Sequence, residues 1–346
     1  MPLVKLKMKN KFIFKLHLFL FFILFSSSVT QGQPAQPDTV TLYFAGDVTL
    51  ANHFEEDVGD SFSYPFARMQ WFSDADITMV NLENPITTRG MSVPKEFNFR
   101  AHPKYTRMLK DAGIDIVTLG NNHIYDYGDE GVFDTVENLD SLGIKHVGAG
   151  RNIEDARQPV IFNVKGIRIA YLGYLGFVKT SYPYFASTTK AGPSLFSIEN
   201  LKEDIGKLHE VVDYIVVNMH WGVEKNHFPE EHQVYLAHEA IRAGADLIVG
   251  HHPHALQGIE RYRGKIIAYS LGNFLFGGKA DHSYSTVVLK VRIPTRMPLK
   301  ARASVIPIYV KKWQPYAAEE RKAKSILHQI RFYSDIFRDN IFRRRK

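Results

Sequence analysis

Acidic, amide and imidazole side chains recur directly after short apolar segments of this sequence. Asp47 follows the first of these segments and Glu83 follows the second. The other members of this set are Asn121, Asn122, His123, Asp126, His220, His251, His252, His254 and Asn273. Taken singly, an Asp or Asn in such a position often caps a helix or completes a turn. The segment His251-His252-Pro253-His254 is different, because three imidazoles at one strand end have little use in packing.

These residue types are suited to binding metal ions. The 346-residue chain contains no cysteine, so His, Asp, Glu and Asn are the ligands available. Imidazoles combined with carboxylates suit divalent Mn, Zn or Fe. One catalytic metal takes three or four protein ligands, so the set suffices for two metals that share a carboxylate. A bound divalent ion lowers the pKa of its water to about 7 and supplies hydroxide, while His123 is placed to protonate a leaving group. The set therefore predicts metal-dependent hydrolysis.

The segments before these residues alternate between strand and helix patterns. Predicted strands are Val40–Ala45, Ile77–Val80, Ile114–Leu119, Ile167–Leu172, Tyr214–Val217, Leu247–Val249 and Ile266–Leu271, and predicted helices are Pro103–Asp111, Glu130–Leu142, Ile198–Val212 and Glu230–Arg242. Strands separated by helices indicate a layered α/β fold, in which strand ends meet at the edge that binds ligands. The β-branched runs Thr286–Ile293 and Ser304–Val310 lack an intervening helix and predict an antiparallel portion. We therefore expect a mixed sheet or two stacked sheets.

The formal net charge of +7 is carried by the two ends of the chain. Residues 1–33 contain five Lys and no acidic residue, and residues 319–346 contain nine Lys or Arg against four Asp or Glu. The sequence between them is slightly acidic, whereas a nucleic-acid-binding protein is expected to carry a basic patch on its folded body. Nucleic acid is therefore not an expected partner. The 45% hydrophobic and 23% charged content also excludes a disordered chain and a polytopic membrane protein.

The termini suggest how the chain is organised. In residues 1–33, five Lys precede the apolar run Leu18–Phe25 and a stretch of small residues, as in a signal peptide or an uncleaved signal anchor. Either would export the chain to the periplasmic or extracellular face of the cell envelope. Residues 34–39 are predicted to be a linker and residues 40–316 the folded domain. An apolar stripe in residues 317–346 predicts a docked amphipathic helix with a basic tail, and its members are Ile326, Ile330, Tyr333, Phe337 and Ile341.

The motifs together resemble the CapA family, the poly-γ-glutamate capsule biosynthesis group of the calcineurin-like metallophosphoesterase superfamily. They occur in the family's order over about residues 40–280. The matching segments are Gly46-Asp47-x-x-Leu50, Asn81-Leu82-Glu83-x-Pro85, Asn121-Asn122-His123-x-x-Asp126, His220-Trp221-Gly222-x-Glu224, Gly250-His251-His252-Pro253-His254 and Ser270-Leu271-Gly272-Asn273-Phe274.

This resemblance implies a four-layer α/β/β/α sandwich with two mixed sheets and a dinuclear metal centre. By position, the resemblance implies that Asp47 binds the first metal and that Glu83 bridges the two metals. Asn122 and His220 would bind the second metal. His252 and His254 would contribute one imidazole to each metal. His123 would act as the acid, with Asp126 as its catalytic partner, and His251 is an additional imidazole. Two positions depart from the superfamily pattern, because Thr49 replaces a ligand His and Glu83 replaces an Asp.

The function implied is that of an exported hydrolase acting on an anionic polymer such as poly-γ-glutamate, at a γ-glutamyl amide or a phosphoester bond. Lys95, Arg100, His251 and Asn273 are candidates for binding the substrate. Two alternatives remain open. The first is a non-catalytic envelope subunit that binds or anchors the polymer during export, beside membrane synthase subunits. The second is a generic secreted phosphoesterase.

Overall fold

The computed structural model describes residues 39–178, 183–277 and 283–343. The signal peptide or anchor predicted for residues 1–33, the linker up to residue 38 and the basic residues 344–346 lie outside these ranges. The described residues belong to the compact unit that spans Gln36–Lys346. The boundaries expected for the linker and the folded domain stay predictions.

Sixteen strands and seven α-helices make up the described chain. The strands are β1 (Thr39–Val48), β2 (Ile77–Leu82), β3 (Ile116–Thr118), β4 (Lys145–Val147), β5 (Ala149–Gly150), β6 (Val160–Val164), β7 (Ile167–Val178), β8 (Gly192–Pro193), β9 (Tyr214–Gly222), β10 (Leu247–His251), β11 (Ile259–Tyr262), β12 (Lys265–Ala268), β13 (Asn273–Leu275), β14 (Ser283–Pro294), β15 (Arg302–Lys311) and β16 (Gln314–Ala317). The helices are α1 (Phe54–Val58), α2 (Thr106–Asp111), α3 (Gly128–Ser141), α4 (Ile153–Arg157), α5 (Ile198–Leu208), α6 (Glu231–Ala243) and α7 (Glu320–Ser334), with 3₁₀ turns at Gln70–Asp74, Pro103–Tyr105 and Pro298–Lys300. No helix of the described residues combines the length and the apolar character needed to span a bilayer.

Most strands join one of two mixed sheets. The first has eight strands, ordered β16-β15-β14-β1-β2-β3-β4, with β13 paired to the end of β1. Strands β1 to β4 are parallel, and β14, β15 and β16 continue the sheet antiparallel. The second sheet has six strands, ordered β11-β12-β10-β9-β7-β6, with a parallel centre and antiparallel edges. The predicted mixture of parallel and antiparallel strands is confirmed.

The buried side chains divide the body into four layers. Side chains of both sheets, such as Phe44 of β1 and Tyr171 of β7, share one core. Tyr43 points to the opposite face of β1, where it packs with α1, α2 and α3. The outer face of the second sheet, which includes Val217, packs against α5 and α6. The predicted α/β/β/α sandwich is therefore confirmed, and its alternating burial follows from the period of two in each strand.

The C-terminal helix is shorter than its apolar stripe suggests. Helix α7 ends at Ser334, whose hydroxyl donates to the Ile330 carbonyl and accepts a 2.9 Å hydrogen bond from the Ile259 amide. The chain then leaves the helix axis, and Asn340 pairs with Glu260 of β11. Ile326 and Ile330 enter the core between the sheets, whereas Phe337 packs on Tyr269 of the second sheet. The residues of the stripe thus pack into two different cores. One straight helix would not contact both cores.

Strand register brings the polar residues of both sheets to one end of the sandwich. Asp47 of β1 pairs with Asn81 of β2 and with Asn273 of β13, and His251 of β10 pairs with His220 of β9. Gly46 permits the close pairing of β1 with the segment before β13, because a Cβ there would overlap the Gly272 carbonyl oxygen. The site therefore depends on backbone contacts that larger residues would prevent.

We expect Gly46→Ala to lower the free energy of unfolding by about 2–3 kcal/mol, since the added methyl group meets backbone atoms that have no room to move. Gly206→Ala is the matched control, because Gly206 lies inside α5 with open space around it and Ala there should stabilise the helix by about 0.5–1 kcal/mol. Thermal unfolding followed by circular dichroism measures both changes. A melting temperature for Gly46→Ala equal to that of the unsubstituted chain would contradict the close packing.

Candidate metal centre

Two buried carboxylates, Asp47 and Glu83, form the middle of the site, and both are 0% exposed. The backbone holds them in place, because the Asp47 amide donates to the Gly272 carbonyl at 2.9 Å and the Glu83 amide donates to the Val48 carbonyl at 2.8 Å. Burying a carboxylate costs free energy unless hydrogen bonds or positive charges compensate it. The side chains around this pair therefore decide what the site can bind.

Asn81 joins the two carboxylates through its amide group. Its Nδ2 donates to Asp47 Oδ1 at 2.9 Å and to Glu83 Oε2 at 3.1 Å. Asn121 fixes the orientation of this amide by donating to Asn81 Oδ1 at 3.1 Å. Asp47 Oδ2 and Glu83 Oε1 are buried without a hydrogen-bond partner among the described residues. Asn81 thus occupies one oxygen of each carboxylate and leaves the other oxygen available to a cation.

Imidazoles surround the available oxygens. His220 Nε2 lies 3.5 Å from Glu83 Oε1, and His254 Nδ1 and Nε2 lie 3.2 Å from Asp47 Oδ2 and 3.6 Å from Glu83 Oε1. Ligand atoms lie within 4.8 Å of one another in two groups, which are Asp47 with Glu83 and His220, and Glu83 with His252 and His254. Glu83 belongs to both groups, as expected of a carboxylate that bridges two cations. The donor set and the partnerless carboxylate oxygens fit two divalent metals.

The grouping differs in detail from the one that the resemblance implies. That assignment shares His252 and His254 between the two metals, whereas their ligand atoms here lie in one group. His220 is grouped with Asp47 and Glu83, whereas the resemblance places it with Asn122, whose Oδ1 lies 2.7 Å from His220 Nε2. All six predicted ligands therefore converge, while their division between two metals stays a prediction.

Asn273, a predicted substrate-binding residue, lies behind a predicted ligand. Its Oδ1 is 2.8 Å from His254 Nδ1, which assigns the proton on that nitrogen to this hydrogen bond. In the neutral imidazole, the Nε2 atom of His254 then faces Glu83 with its lone pair. An outer hydrogen bond of this kind fixes the tautomer and orientation of a metal-binding imidazole. The structure thus gives Asn273 a supporting role behind His254, and its contact with substrate stays a prediction.

His251, another predicted substrate-binding residue, is buried at 1% exposure beside Asp47. Its Nδ1 lies 3.4 Å from Asp47 Oδ1, and neither ring nitrogen has a hydrogen-bond partner within the described ranges. Thr49, where the resemblance implies a ligand His, is engaged elsewhere, because its Oγ1 accepts a 3.2 Å hydrogen bond from the Ala51 amide. His251 therefore brings an imidazole to the carboxylate that lost one at Thr49.

The pKa values of the cluster reflect the burial of two carboxylates together. Burial raises the pKa of Glu83 well above its usual value. Burial acts in the same direction on Asp47, but the neighbouring imidazoles of His251 and His254 outweigh it and hold its pKa below the usual range. Burial would lower the pKa of His254, yet the charges of Glu83 and Asp47 raise it to about 10. Burial lowers the pKa of His252 to about 3. The site thus demands positive charge beside its carboxylates, which a divalent cation supplies while the imidazoles stay neutral.

A second cluster holds the predicted acid. His123 Nδ1 lies 2.7 Å from Asp126 Oδ2, and the Lys95 ammonium donates to Asp126 Oδ1 at 2.8 Å and to the Asn122 carbonyl at 2.6 Å. Burial lowers the pKa of His123 to about 4, with Asp126 acting in the opposite direction. The Phe99 ring stacks on the imidazole with centroids 4.2 Å apart. His123 is therefore held on one edge by a carboxylate and on one face by an aromatic ring.

The two cations predicted to bind substrate, Lys95 and Arg100, both have partners within the protein. Lys95 is engaged by Asp126 and Asn122, and only 16% of its side chain is exposed. Arg100 is exposed, and its guanidinium lies 4.3 Å above the Tyr127 ring. Lys95 thus supports His123 in this structure, and Arg100 lies on the surface beside this turn. Their contact with substrate stays a prediction.

Two further residues of the site were missed by sequence reasoning. Asn81 is the one amide in the otherwise apolar end of β2, at the register position of Asp47, and this polarity inside a buried strand was the available signal. Phe99 offered none, because an aromatic residue in an irregular segment has many uses.

We expect Asn81→Ala to weaken divalent-metal binding about 10–100-fold, because it removes the donor that orients both carboxylates. Metal content after dialysis and competition with a chelating dye measure this change. Asn163→Ala makes the same truncation at an exposed position of β6 and should leave metal binding unchanged. Equal metal affinity in the two variants would contradict the role given to Asn81.

We also expect His251→Ala to reduce the metal content of the purified chain, since it removes the buried imidazole beside Asp47. His328→Ala, at an exposed position of α7, is the control and should retain full occupancy. Elemental analysis after gel filtration compares them. Unchanged metal content in His251→Ala would show that this imidazole is not a ligand.

Comparison with known proteins identifies the family of the chain. The family described as "Bacterial capsule synthesis protein PGA_cap" matches residues 41–278, a range that contains every residue of the candidate centre. The capsule biosynthesis protein CapA of Bacillus anthracis is 30% identical over 326 residues, which cover 91% of this chain and 77% of that protein. The PGA biosynthesis protein CapA of Bacillus subtilis is 28% identical over 340 residues, which cover 94% of this chain and 88% of that protein.

A solved structure shares the fold. A hypothetical protein from Thermus thermophilus aligns with a TM-score of 0.50 and 16% identity, over 78% of this chain and 99% of its own. At this identity the likeness concerns the fold alone. The sequence matches carry the assignment, and the chain therefore belongs to the bacterial capsule synthesis protein family PGA_cap.

Proposed function

We propose that this protein is an exported, divalent-metal-dependent hydrolase that acts on an anionic polymer of the poly-γ-glutamate type. One observation carries the proposal. Two carboxylates are buried side by side, each keeps one oxygen without a hydrogen-bond partner in the described chain, and imidazoles surround them. Such an arrangement is costly for packing alone and is suited to binding cations.

The ligands come from the side chains already grouped around Glu83. Asp47, Glu83 and His220, with Asn122, would hold one cation, and Glu83, His252 and His254 would hold the other. Divalent cations in such a site polarise the attacked carbonyl or phosphoryl oxygen and provide water of low pKa. Asn81 and Asn273 keep the ligand atoms oriented before substrate binds.

His123 is the proton-transferring residue of the proposed reaction. Asp126 accepts the hydrogen on Nδ1, which leaves Nε2 as the ring atom that exchanges a proton with the leaving nitrogen or oxygen. Lys95 holds Asp126 from its other oxygen, and Phe99 prevents the ring from turning. These contacts position the ring for proton transfer without using a side chain that would bind a metal.

The proposals for the polymer substrate and for the cellular location are based on different observations. A relative is named for PGA biosynthesis and another for capsule biosynthesis, which favours poly-γ-glutamate and hence the γ-glutamyl amide over the phosphoester. The basic and apolar residues 1–33 favour export to the envelope, where such a polymer is exposed.

Thr49 favours a second candidate function. It is 0% exposed and bonded within its own turn, so the first metal lacks the imidazole that this position supplies in the superfamily. A centre with weak metal binding would suit a non-catalytic subunit that binds poly-γ-glutamate during export, beside synthase subunits of the membrane.

We expect the metal-loaded full chain to shorten poly-γ-glutamate, as measured by gel filtration of the polymer and by release of new amino groups. Asp47→Ala should lose both metal and activity, because it removes a ligand. His123→Ala should retain metal and lose about 10²–10⁴-fold in turnover, since proton transfer alone is removed. His328→Ala is the control and should match the unsubstituted chain.

The same preparation separates the alternatives. Hydrolysis of p-nitrophenyl phosphate but not of the polymer would assign the phosphoester. Metal-loaded protein that binds the polymer without shortening it would support the non-catalytic subunit. Activity that survives in His123→Ala and Asp47→Ala would contradict a reaction at this centre.

A further inference from the structure

A separate cavity of about 390 Å³ adjoins the candidate centre at His254. Its other lining residues are Lys225, His227, Ala255, Leu256, Tyr284, Ser285, Gln329 and Tyr333. Ligand pockets in proteins commonly enclose about 300–1,000 Å³. His254 forms the boundary between the two spaces, because its Nε2 faces Glu83 while the residue also lines this cavity. A chain-like substrate bound at the centre would therefore have this second space beside it.

The loops that form the cavity are held rigidly. The Lys225 amide donates to the Pro253 carbonyl at 2.7 Å, and Gln257 Nε2 donates to the Asn226 carbonyl at 2.9 Å. These bonds tie the loop after β9 to the loop after β10. Lys225 and His254 both adopt positive φ angles, 62° and 53°, a conformation that residues other than glycine adopt at a cost. Such strained residues concentrate at binding sites, where the surrounding contacts maintain them.

The walls of the cavity differ in chemistry. Lys225 supplies an exposed cation, and Gln329 of α7 supplies an exposed amide. The His227 ring lies flat on Tyr333, with centroids 4.7 Å apart and an angle of 11° between the planes. Ser285 adds a hydroxyl group. A ligand that carries one carboxylate and one amide on a short aliphatic stem matches this combination, and a γ-linked glutamyl unit has this composition.

The cations first expected to bind such a polymer have other contacts. Lys95 is held by Asp126 and the Asn122 carbonyl, and Arg100 stacks on Tyr127. Lys225 instead lies exposed on a wall shared with His254. Lys225 is thus placed to pair with a carboxylate of a substrate that is bound at the neighbouring centre.

We propose that this cavity, called here the Lys225 cavity, binds the glutamyl unit adjacent to the scissile bond, with Lys225 paired to its free carboxylate. The inference rests on the proposed function for the identity of the polymer. It adds a site that selects a carboxylate-bearing chain over a small phosphoester, because a small phosphoester has no carboxylate to pair with Lys225.

Binding of a fluorescein-labelled γ-linked glutamate decamer to the metal-loaded full chain tests the proposal by fluorescence anisotropy. Lys225→Glu should weaken the affinity for the decamer about tenfold, because an attractive charge pair at the protein surface becomes a repulsive one. Lys202→Glu makes the same charge change at an exposed position of α5 and should bind as the unsubstituted chain does. Metal content should be equal in all three proteins.

A second variant tests the opposite wall. Gln329→Lys adds a cation at an exposed position of α7 and should increase the affinity for the decamer about threefold. Affinity that is the same in Lys225→Glu and Lys202→Glu, with no gain in Gln329→Lys, would overturn the Lys225 cavity and leave the hydrolase proposal intact. Absence of decamer binding to the unsubstituted chain would overturn both the role given to the Lys225 cavity and the proposal that poly-γ-glutamate is the substrate. Lys225-dependent binding without hydrolysis would support the cavity and count against the hydrolase.

Discussion

The joint burial of Asp47 and Glu83 is the constraint around which the site is arranged. Two carboxylates at 0% exposure repel each other, and the surrounding protein has to compensate their charge. Asn81 satisfies one oxygen of each, and imidazoles of the second sheet face the others. The glycines at the strand ends follow from the same requirement, because the segments that carry these groups must approach each other at backbone distance. Few functions other than binding cations justify this cost.

The sequence predicts the position of the site better than the roles of its residues. Strand ends in an α/β fold meet at one edge, so Asp47, Glu83 and His220 were expected together, and their side chains do converge. Roles depend on where a side chain points, which spacing does not specify. Lys95 thus resembled a cation for substrate, but three-dimensional packing turns it toward Asp126. Asn273 resembled another substrate contact for the same reason, and it lies behind His254.

Long apolar runs predicted the central strands, whereas several short strands and the end of α7 were not predicted. Strand β4 has three residues and β8 has two, which is too short for a period to be recognised. Strand β6 alternates burial on the sheet edge, where polar residues weaken the pattern. The end of α7 at Ser334 depends on a hydrogen bond to Ile259, a partner distant in sequence. Local patterns carry no information about such a contact, and the apolar stripe continues past it.

The ligands of the centre come from different sheets, which has a consequence for folding. Asp47 and Glu83 extend from the first sheet, and His220, His252 and His254 extend from the second, so cations bound between them join the two halves of the sandwich. Binding that exists only in the native state adds to its stability in proportion to the logarithm of the free ion concentration. The concentration of free divalent ions around the chain would then set how much native protein persists.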